Sequence, residues 1–456
     1  MKTKLKHSEI DMLNGSIWNK LPLYALPVAA TGILEQLFNA SDIAVVGKFS
    51  ATDGTTAVAA VGANSPIIGL ILNFFIGISL GVNVVIANAI GQRDKKTVHR
   101  TVHTAILLAL AGGLLVTLLG ELLAGTILSA LQVPAEVFPY ALLYLRIYLL
   151  GMPVILLYNF EAAIFRSIGD TKVPLQVLML SGILNVLLNL FFVIVLKMTV
   201  NGVAIATVLS NLVSSVILFR KLITSDNIVH VEVRDLRVDK VSLSAIMKIG
   251  LPAGTQSAVF AIANIVIQSA FNSLGTMVMA ASSAALNLEL FAYYILNSFS
   301  QACTTFVGQN YGAGKLDRCR KTLKLCLIED ALASVTAVLF VLFSGKFLLS
   351  FFSNDPEVIE IAYSRLLIVF TAYIFSMLYE VMSGYLRGFG ISLVPAILTT
   401  VGVCVVRIVW IYTVFPAHRT FQTILLAYPI SWATTAILIF IALLLYRPSR
   451  RYAVRK

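Results

Sequence analysis

Apolar residues run along this chain in long blocks, separated by short polar breaks that hold most of the charge. A block of about 20 residues covers the hydrocarbon thickness of a bilayer as a helix. Twelve such spans are read, near 21–46, 62–90, 101–124, 137–161, 173–196, 201–219, 246–271, 279–307, 325–345, 358–384, 394–415 and 421–446. Barrel strands would show short segments alternating with period two, and the chain has none. The fold class expected is therefore all-α and integral to a membrane. The opening Met1–Lys6 is basic but leads into polar Ser8-Glu9-Ile10-Asp11, which does not read as a cleavable signal.

The polar breaks repeat. Arg166, Gly169, Val173 and Pro174 recur 221 positions on as Arg387, Gly390, Val394 and Pro395. Gly91-Gln92 recurs as Gly308-Gln309, Leu26-Pro27 as Leu251-Pro252, and Tyr144-x-Arg146 as Tyr363-x-Arg365, all in the same order. Each half then holds six spans with the same topology, so the halves are parallel repeats about an axis along the membrane normal. That arrangement suits transporters that rock two lobes about a central site. The domains expected are a first lobe over 1–222, a cytoplasmic linker over 223–245 and a second lobe over 246–456. The linker's Val231-Glu232-Val233-Arg234 alternation fits a short strand, but a plain tether is the reading favoured. Pro22, Pro27, Pro153, Pro252 and Pro429 can start or kink helices.

Composition agrees with the pattern. Of 456 residues, 58% are hydrophobic and 12% charged, against about 25% charged in soluble domains; mean hydropathy is +0.89. The net charge of +12 would by itself suggest nucleic acid, but its placement argues for topology. The N-terminal segment, the even-numbered loops and the C-terminal segment hold 27 of the 34 lysines and arginines. The opposite loops hold only Lys48, Lys197, Lys346 and Arg419. By the positive-inside rule both termini are cytoplasmic, which makes this a multi-pass protein of the cell membrane. Lipid headgroups are secondary partners of the basic clusters, and no nucleic acid partner is implied.

Few residues in the spans can do chemistry. Span 1 carries Glu35, Gln36, Asn39, Ser41 and Asp42, and Glu35, Asn39 and Asp42 fall on one helix face. An ionisable side chain within a span costs roughly 2.5–3.5 kcal/mol on insertion scales and marks a functional candidate; the plainer reading is a structural hydrogen bond between helices. The second repeat has Asn264 where the first has Asp42, and that asymmetry favours function. Asn264 and Gln268 in span 7 join Glu35, Gln36 and Asn39 as candidate substrate contacts. Glu289 beside Phe291, Tyr293 and Tyr294 suits an organic cation, which aromatic faces also attract; Glu289 and Tyr293 complete that set. Asn185 and Asn189 share a face of span 5, either to bind an ion or to glue helices together. Arg407 needs a partner, with Glu289 or Glu380 expected, while Arg146, Arg365, Glu161 and Glu380 are expected to snorkel from span ends. No P-loop occurs, so ATP does not drive the protein directly. Cys303, Cys319, Cys326 and Cys404 lack metal-ligand spacing. Neither a resident metal nor a cofactor is expected, and no nucleophile with its base points to an enzyme.

Taken together, the chain resembles the multidrug and toxic compound extrusion (MATE) transporters of prokaryotic type over nearly all of 14–446. The resemblance is carried by Leu26-Pro27, Asn39-Ala40-Ser41-Asp42, Gly91-Gln92, Arg166-x-x-Gly169-Asp170-x-x-x-Pro174, Asn264 through Thr276, and Gly308-Gln309-Asn310. It implies a two-lobed exporter driven by Na⁺ or H⁺ entry. It also implies that the carboxylate at Asp42 handles the coupling ion, helped by an Asn-x-x-x-Asp pattern in span 5 and a threonine in span 6. Here that pattern reads Asn185-x-x-x-Asn189, and Thr207 matches the threonine. Losing the second carboxylate fits proton exchange better than a tight Na⁺ site, because one carboxyl titrates more simply than a coupled pair. The expected cargo is small, amphipathic and cationic, and the expected state a monomer. A flippase for lipid-linked saccharides is the alternative; it calls for a basic central cavity, for which only Arg407 offers itself.

Overall fold

The computed structural model describes residues 9–49 and 54–451; the basic stretch Met1–Lys6 lies outside them. The described residues form helices and connecting turns, with no β-strand among them. The first half comprises α1 (Leu21–Phe49), α2 (Gly54–Gln92), α3 (Lys95–Ala130), α4 (Phe138–Leu150), α5 (Met152–Ser167), α6 (Lys172–Leu190) and α7 (Val200–Thr224). The second comprises α8 (Lys240–Asn272), α9 (Thr276–Gly312), α10 (Leu316–Leu349), α11 (Pro356–Thr371), α12 (Tyr373–Gly388), α13 (Leu393–Thr399), α14 (Val406–Thr413) and α15 (Phe421–Tyr446). Ten spans are long and apolar enough to cross a bilayer, and two bent pairs bring the number to twelve. This is the two-lobed, twelve-span architecture expected.

The repeat is written into irregularities of the backbone. The fourth span of each half is broken, α4–α5 by 51° and α11–α12 by 49°. The breaks fall at Gly151 and Ala372, separated by the same 221 positions as the repeated arginines. Pro153 explains the first, because its ring cannot continue the helix before it; the second repeat keeps the bend without a proline. The fifth span of each half passes through a wider π-helical turn, Phe191–Val195 and Thr400–Val405. The shared motif glycines end α5 and α12 identically. Gly169 (φ 86°) and Gly390 (φ 77°) take the left-handed conformation. Asp170 N–H then donates to Phe165 O and Ile391 N–H to Leu386 O, satisfying carbonyls that the helix end leaves open.

Leu122 on α3 is 79% exposed and Phe343 on α10, its repeat-mate, 88%. Faces this apolar and this open belong against lipid.

Contacts divide the chain into two compact units. One is built mainly from Ala30–Ile86 and Asp94–Met247, the other from Ile10–Ala29, Ala87–Arg93 and the chain from Lys248 onward. In the first unit Val46, Leu128, Leu145 and Val203 are central to the core. The segment after Thr224 docks there too: His103 Nε2 lies 3.1 Å from the Glu232 backbone, and Asp239 N–H donates to Thr104 Oγ1 at 2.9 Å. Val233–Asp235 is a single 3₁₀ turn, so the alternation read as a possible strand does not pair. Asp239 then caps α8, accepting from the Ser242 backbone N–H and hydroxyl at 2.8 Å each. These bonds hold its carboxyl below the usual range.

In the second unit Met12, Ile17, Leu21 and Tyr24 pack against Phe299, Phe306 and Val307. Asn310 and Arg318 both donate to Met12 O at 3.1 Å. The end of α2 crosses the end of α9 here at backbone distance. A Cβ on Gly91 would sit 2.1 Å from Gln309 O, and one on Gly312 would sit 2.1 Å from Asn88 O. Neither carbonyl belongs to a movable side chain. Gly312→Ala should therefore lower stability by about 1–3 kcal/mol, as overpacking does, read as a drop in thermal transition. Gly62→Ala, which meets nothing within 4 Å, is the control and should hold or gain. Equal transitions for the two variants would show that the crossing relaxes freely.

Candidate functional site

The first unit contains a half-open cavity of about 390 Å³, and span 1 supplies its acidic wall. Glu35, Gln36, Asn39 and Asp42 line it from α1, as the shared face predicts. Opposite stand Tyr144 and Tyr148 of α4, Tyr158 and Asn159 of α5, Ser181 and Asn185 of α6, and Thr207 and Asn211 of α7. Tyr144 and Tyr148 are stacked at 6.1 Å between centroids, one helical turn apart. Gly182 leaves room for Phe38, whose ring a Cβ there would strike at 1.9 Å. A cavity with two carboxylates and several aromatic rings favours an organic cation.

Asp42 is 5% exposed. Its Oδ1 accepts from Asn189 Nδ2 at 2.5 Å and its Oδ2 from Thr207 Oγ1 at 3.1 Å. Asn189 Nδ2 also reaches Asn185 Oδ1 at 3.2 Å, and Asn185 Nδ2 reaches Thr207 Oγ1 at 3.4 Å. The four residues named from the family resemblance thus form one connected network. Both donors to the carboxyl, an amide and a hydroxyl, are neutral.

That network accommodates two protonation states. Thr207 Oγ1 lies 3.0 Å from Val203 O as well as 3.1 Å from Asp42. With Asp42 ionised, the hydroxyl donates to it. With Asp42 protonated, the acid donates to the hydroxyl, which turns its own proton to the Val203 carbonyl. Asn189 keeps its Nδ2 toward the other carboxyl oxygen in both states. An unmatched buried polar group is costly, so a site whose hydroxyl can serve both states leaves neither with that penalty at Thr207.

The second unit holds the remaining candidates. Asn264 is exposed and Gln268 half-buried, donating to Asn272 Oδ1 at 2.9 Å. Tyr293 is exposed and accepts from Asn297. Glu289 is buried and taken up by Arg365, whose Nε and Nη2 donate to its two oxygens at 2.6 and 2.9 Å.

Several expectations for span charges are corrected. Arg365 does not snorkel: it is 1% exposed, bonded to Glu289 and Ser282, with the Phe271 and Tyr428 rings at 5.0 and 5.6 Å. Glu161 and Glu380 are buried as well. Arg407 pairs with neither expected carboxylate. Its Nε donates to Ser431 at 2.9 Å and its guanidinium lies 4.2 Å from the Tyr428 ring. Arg146 alone behaves as expected, half-exposed beside Glu121 at 3.5 Å. Each error has one cause: distance along a span does not tell which side of the helix its neighbours cover. The sequence did not mark Tyr144, Tyr148, Tyr158 and Asn211 as cavity residues, although Tyr144 belongs to the repeat, nor the fully buried Asp330 of α10. For two of them a signal existed, since Tyr148 follows Tyr144, and Asn211 follows Thr207, by one turn.

Twelve helical spans in two repeated halves, with a polar cavity inside the first unit, define a membrane transporter. The chain belongs to the MatE family, whose model matches residues 27–191 and 252–413, the multidrug and toxic compound extrusion transporters. It is 25% identical over 439 residues to the probable multidrug resistance protein YoeA of Bacillus subtilis (strain 168), covering 93% of each chain. It is 27% identical over 393 residues to the probable multidrug resistance protein NorM of Thermotoga maritima, covering 84% of this chain and 82% of that one. A solved MATE structure in a bent conformation shares the fold, with a TM-score of 0.88 at 21% identity over 97% of this chain and 98% of that one.

Proposed function

We propose that this chain is a secondary antiporter that exports amphipathic organic cations across the cell membrane in exchange for entering protons. The observation that carries the reading is Asp42, a buried carboxyl held by neutral donors in an aromatic, acidic cavity. A single carboxyl can trade a proton for a cationic cargo because both compete for the same negative charge. Protonation removes that charge and weakens the hold on the cation, so the two are released and bound alternately. Asn189, standing where the family pattern has aspartate, leaves the network one charge short of a strong Na⁺ site and supports H⁺. Relatives called multidrug resistance proteins support a drug-like cargo. Both termini are assigned to the cytoplasm from the distribution of lysine and arginine. The acidic cavity weighs against the flippase alternative, which needs positive charge for a pyrophosphate.

The test is export of a fluorescent cation by reconstituted vesicles under an imposed pH gradient or an imposed Na⁺ gradient. The pH gradient should drive it at every Na⁺ concentration. Export driven by Na⁺ alone would overturn the choice of ion, and no gradient-driven export under either condition would overturn the antiport reading.

A further inference from the structure

Outside the Asp42 network the first unit buries a second carboxyl that the proposed exchange does not use. Glu161 of α5 is 0% exposed, and neither oxygen has a hydrogen-bond partner. No ion pair reaches it among the described residues. The Ser215 hydroxyl of α7 faces it and is itself buried and unpartnered. Tyr158, one turn earlier on α5, lines the cavity; its hydroxyl is also buried without a partner, and both Glu35 and Glu161 act on it electrostatically. Titratable groups on the surrounding elements include Glu35 on α1, His103 on α3, Tyr148 on α4, Arg220 on α7 and Arg166 on α5 itself. None of them hydrogen-bonds Glu161.

The position matters as much as the isolation. Along α7, Thr207 touches Asp42, Asn211 lines the cavity one turn on, and Ser215 follows after another turn, toward the end that leads into the segment after Thr224. Along α5, Tyr158 lines the cavity and Glu161 follows in the direction of the Arg166 loop. Two helices therefore carry polar groups from the Asp42 cavity to the same carboxyl, on the linker side of the cavity. An ionised carboxyl there would have no cation and only the Ser215 hydroxyl to offer it a donor, whereas the acid form places no charge in the core. A group held as the acid, with the Tyr158 and Ser215 hydroxyls placed between it and the cavity, can pass on a proton: it accepts one on one oxygen and gives up the other, returning to the same state.

We infer that Glu161 is a second proton-binding site of the first unit, the relay through which the proton leaving Asp42 reaches the linker side. This rests on the antiport reading above. Its role is separable, because exchange of dye for dye at equal pH moves no net proton and does not need the relay.

The experiment compares wild type, E161Q, E161D and S215A in proteoliposomes, with thermal transitions and dye affinity measured on the same preparations. E161Q should fold and bind dye as wild type does, and keep dye-for-dye exchange. It should lose at least about tenfold in export driven by a pH gradient, within the usual worth of a positioned proton-transfer group. E161D should recover part of the loss, and S215A should lose less than E161Q. A second measurement needs no transport. The infrared spectrum at neutral pH should contain the C=O band of a buried protonated carboxyl that E161Q removes and D42N leaves. If E161Q exports at the wild-type rate, or that band survives in E161Q, Glu161 is a structural acid and the inference fails alone. If wild type itself shows no export under a pH gradient, the antiport reading fails and this inference with it.

Discussion

Vesicles carrying Asp42→Asn are expected to export a cationic dye no faster under a pH gradient than without one. Asparagine keeps the size of the acid and can still meet Asn189 and Thr207, so folding and thermal transition should stay near wild type. What disappears is the linkage. A ligand shifts an equilibrium only by its differential affinity for the two states, and an amide offers the proton no such difference. Dye affinity should fall where the charge of Asp42 holds the cation, and its dependence on pH should flatten. Asp42→Glu is the informative companion: it restores a titratable group but places it a methylene out of register with donors at 2.5 and 3.1 Å, so partial coupling is expected. Export of dye by Asp42→Asn at the wild-type rate under the gradient would refute the role assigned to this residue.

Arg365→Ala should be the most destabilising single change in the second unit. Removing it strands the Glu289 carboxylate in a buried site where two donors at 2.6 and 2.9 Å had compensated it. Breaking one partner of a buried pair costs about 3–5 kcal/mol. The guanidinium also fills the space beside Phe271 and Tyr428, so packing is lost with the charge. Thermal unfolding in detergent should show the largest drop for Arg365→Ala, a smaller one for Glu289→Gln, and substantial recovery in the double variant Glu289→Met/Arg365→Met, where neither charge remains. A double variant as unstable as Arg365→Ala would mean that packing, not the stranded charge, sets the cost.

The sequence by itself determined the class, the twelve spans, the two-fold repetition and the helix face that carries Glu35, Asn39 and Asp42. These follow from short-range rules. A bilayer demands a certain length of apolar helix, and a helix of 3.6 residues per turn places i, i+4 and i+7 together. The repeated glycines were legible as well, and Gly169 and Gly390 show why: a helix that ends in the left-handed conformation needs the residue without a side chain. Partnership was not legible. Whether Glu289 meets a drug or an arginine depends on Arg365, 76 positions away on a different helix. Whether Glu161 reaches water or is sealed in the core depends on how α3 and α7 pack over α5. Burial and pairing are properties of the surroundings, and in a membrane every span has similar hydropathy, so hydropathy cannot say which neighbour covers which face. Tertiary structure alone decided that Asp42, Asn185, Asn189 and Thr207 form one network, because only the packing of α1, α6 and α7 brings those polar groups within hydrogen-bond reach.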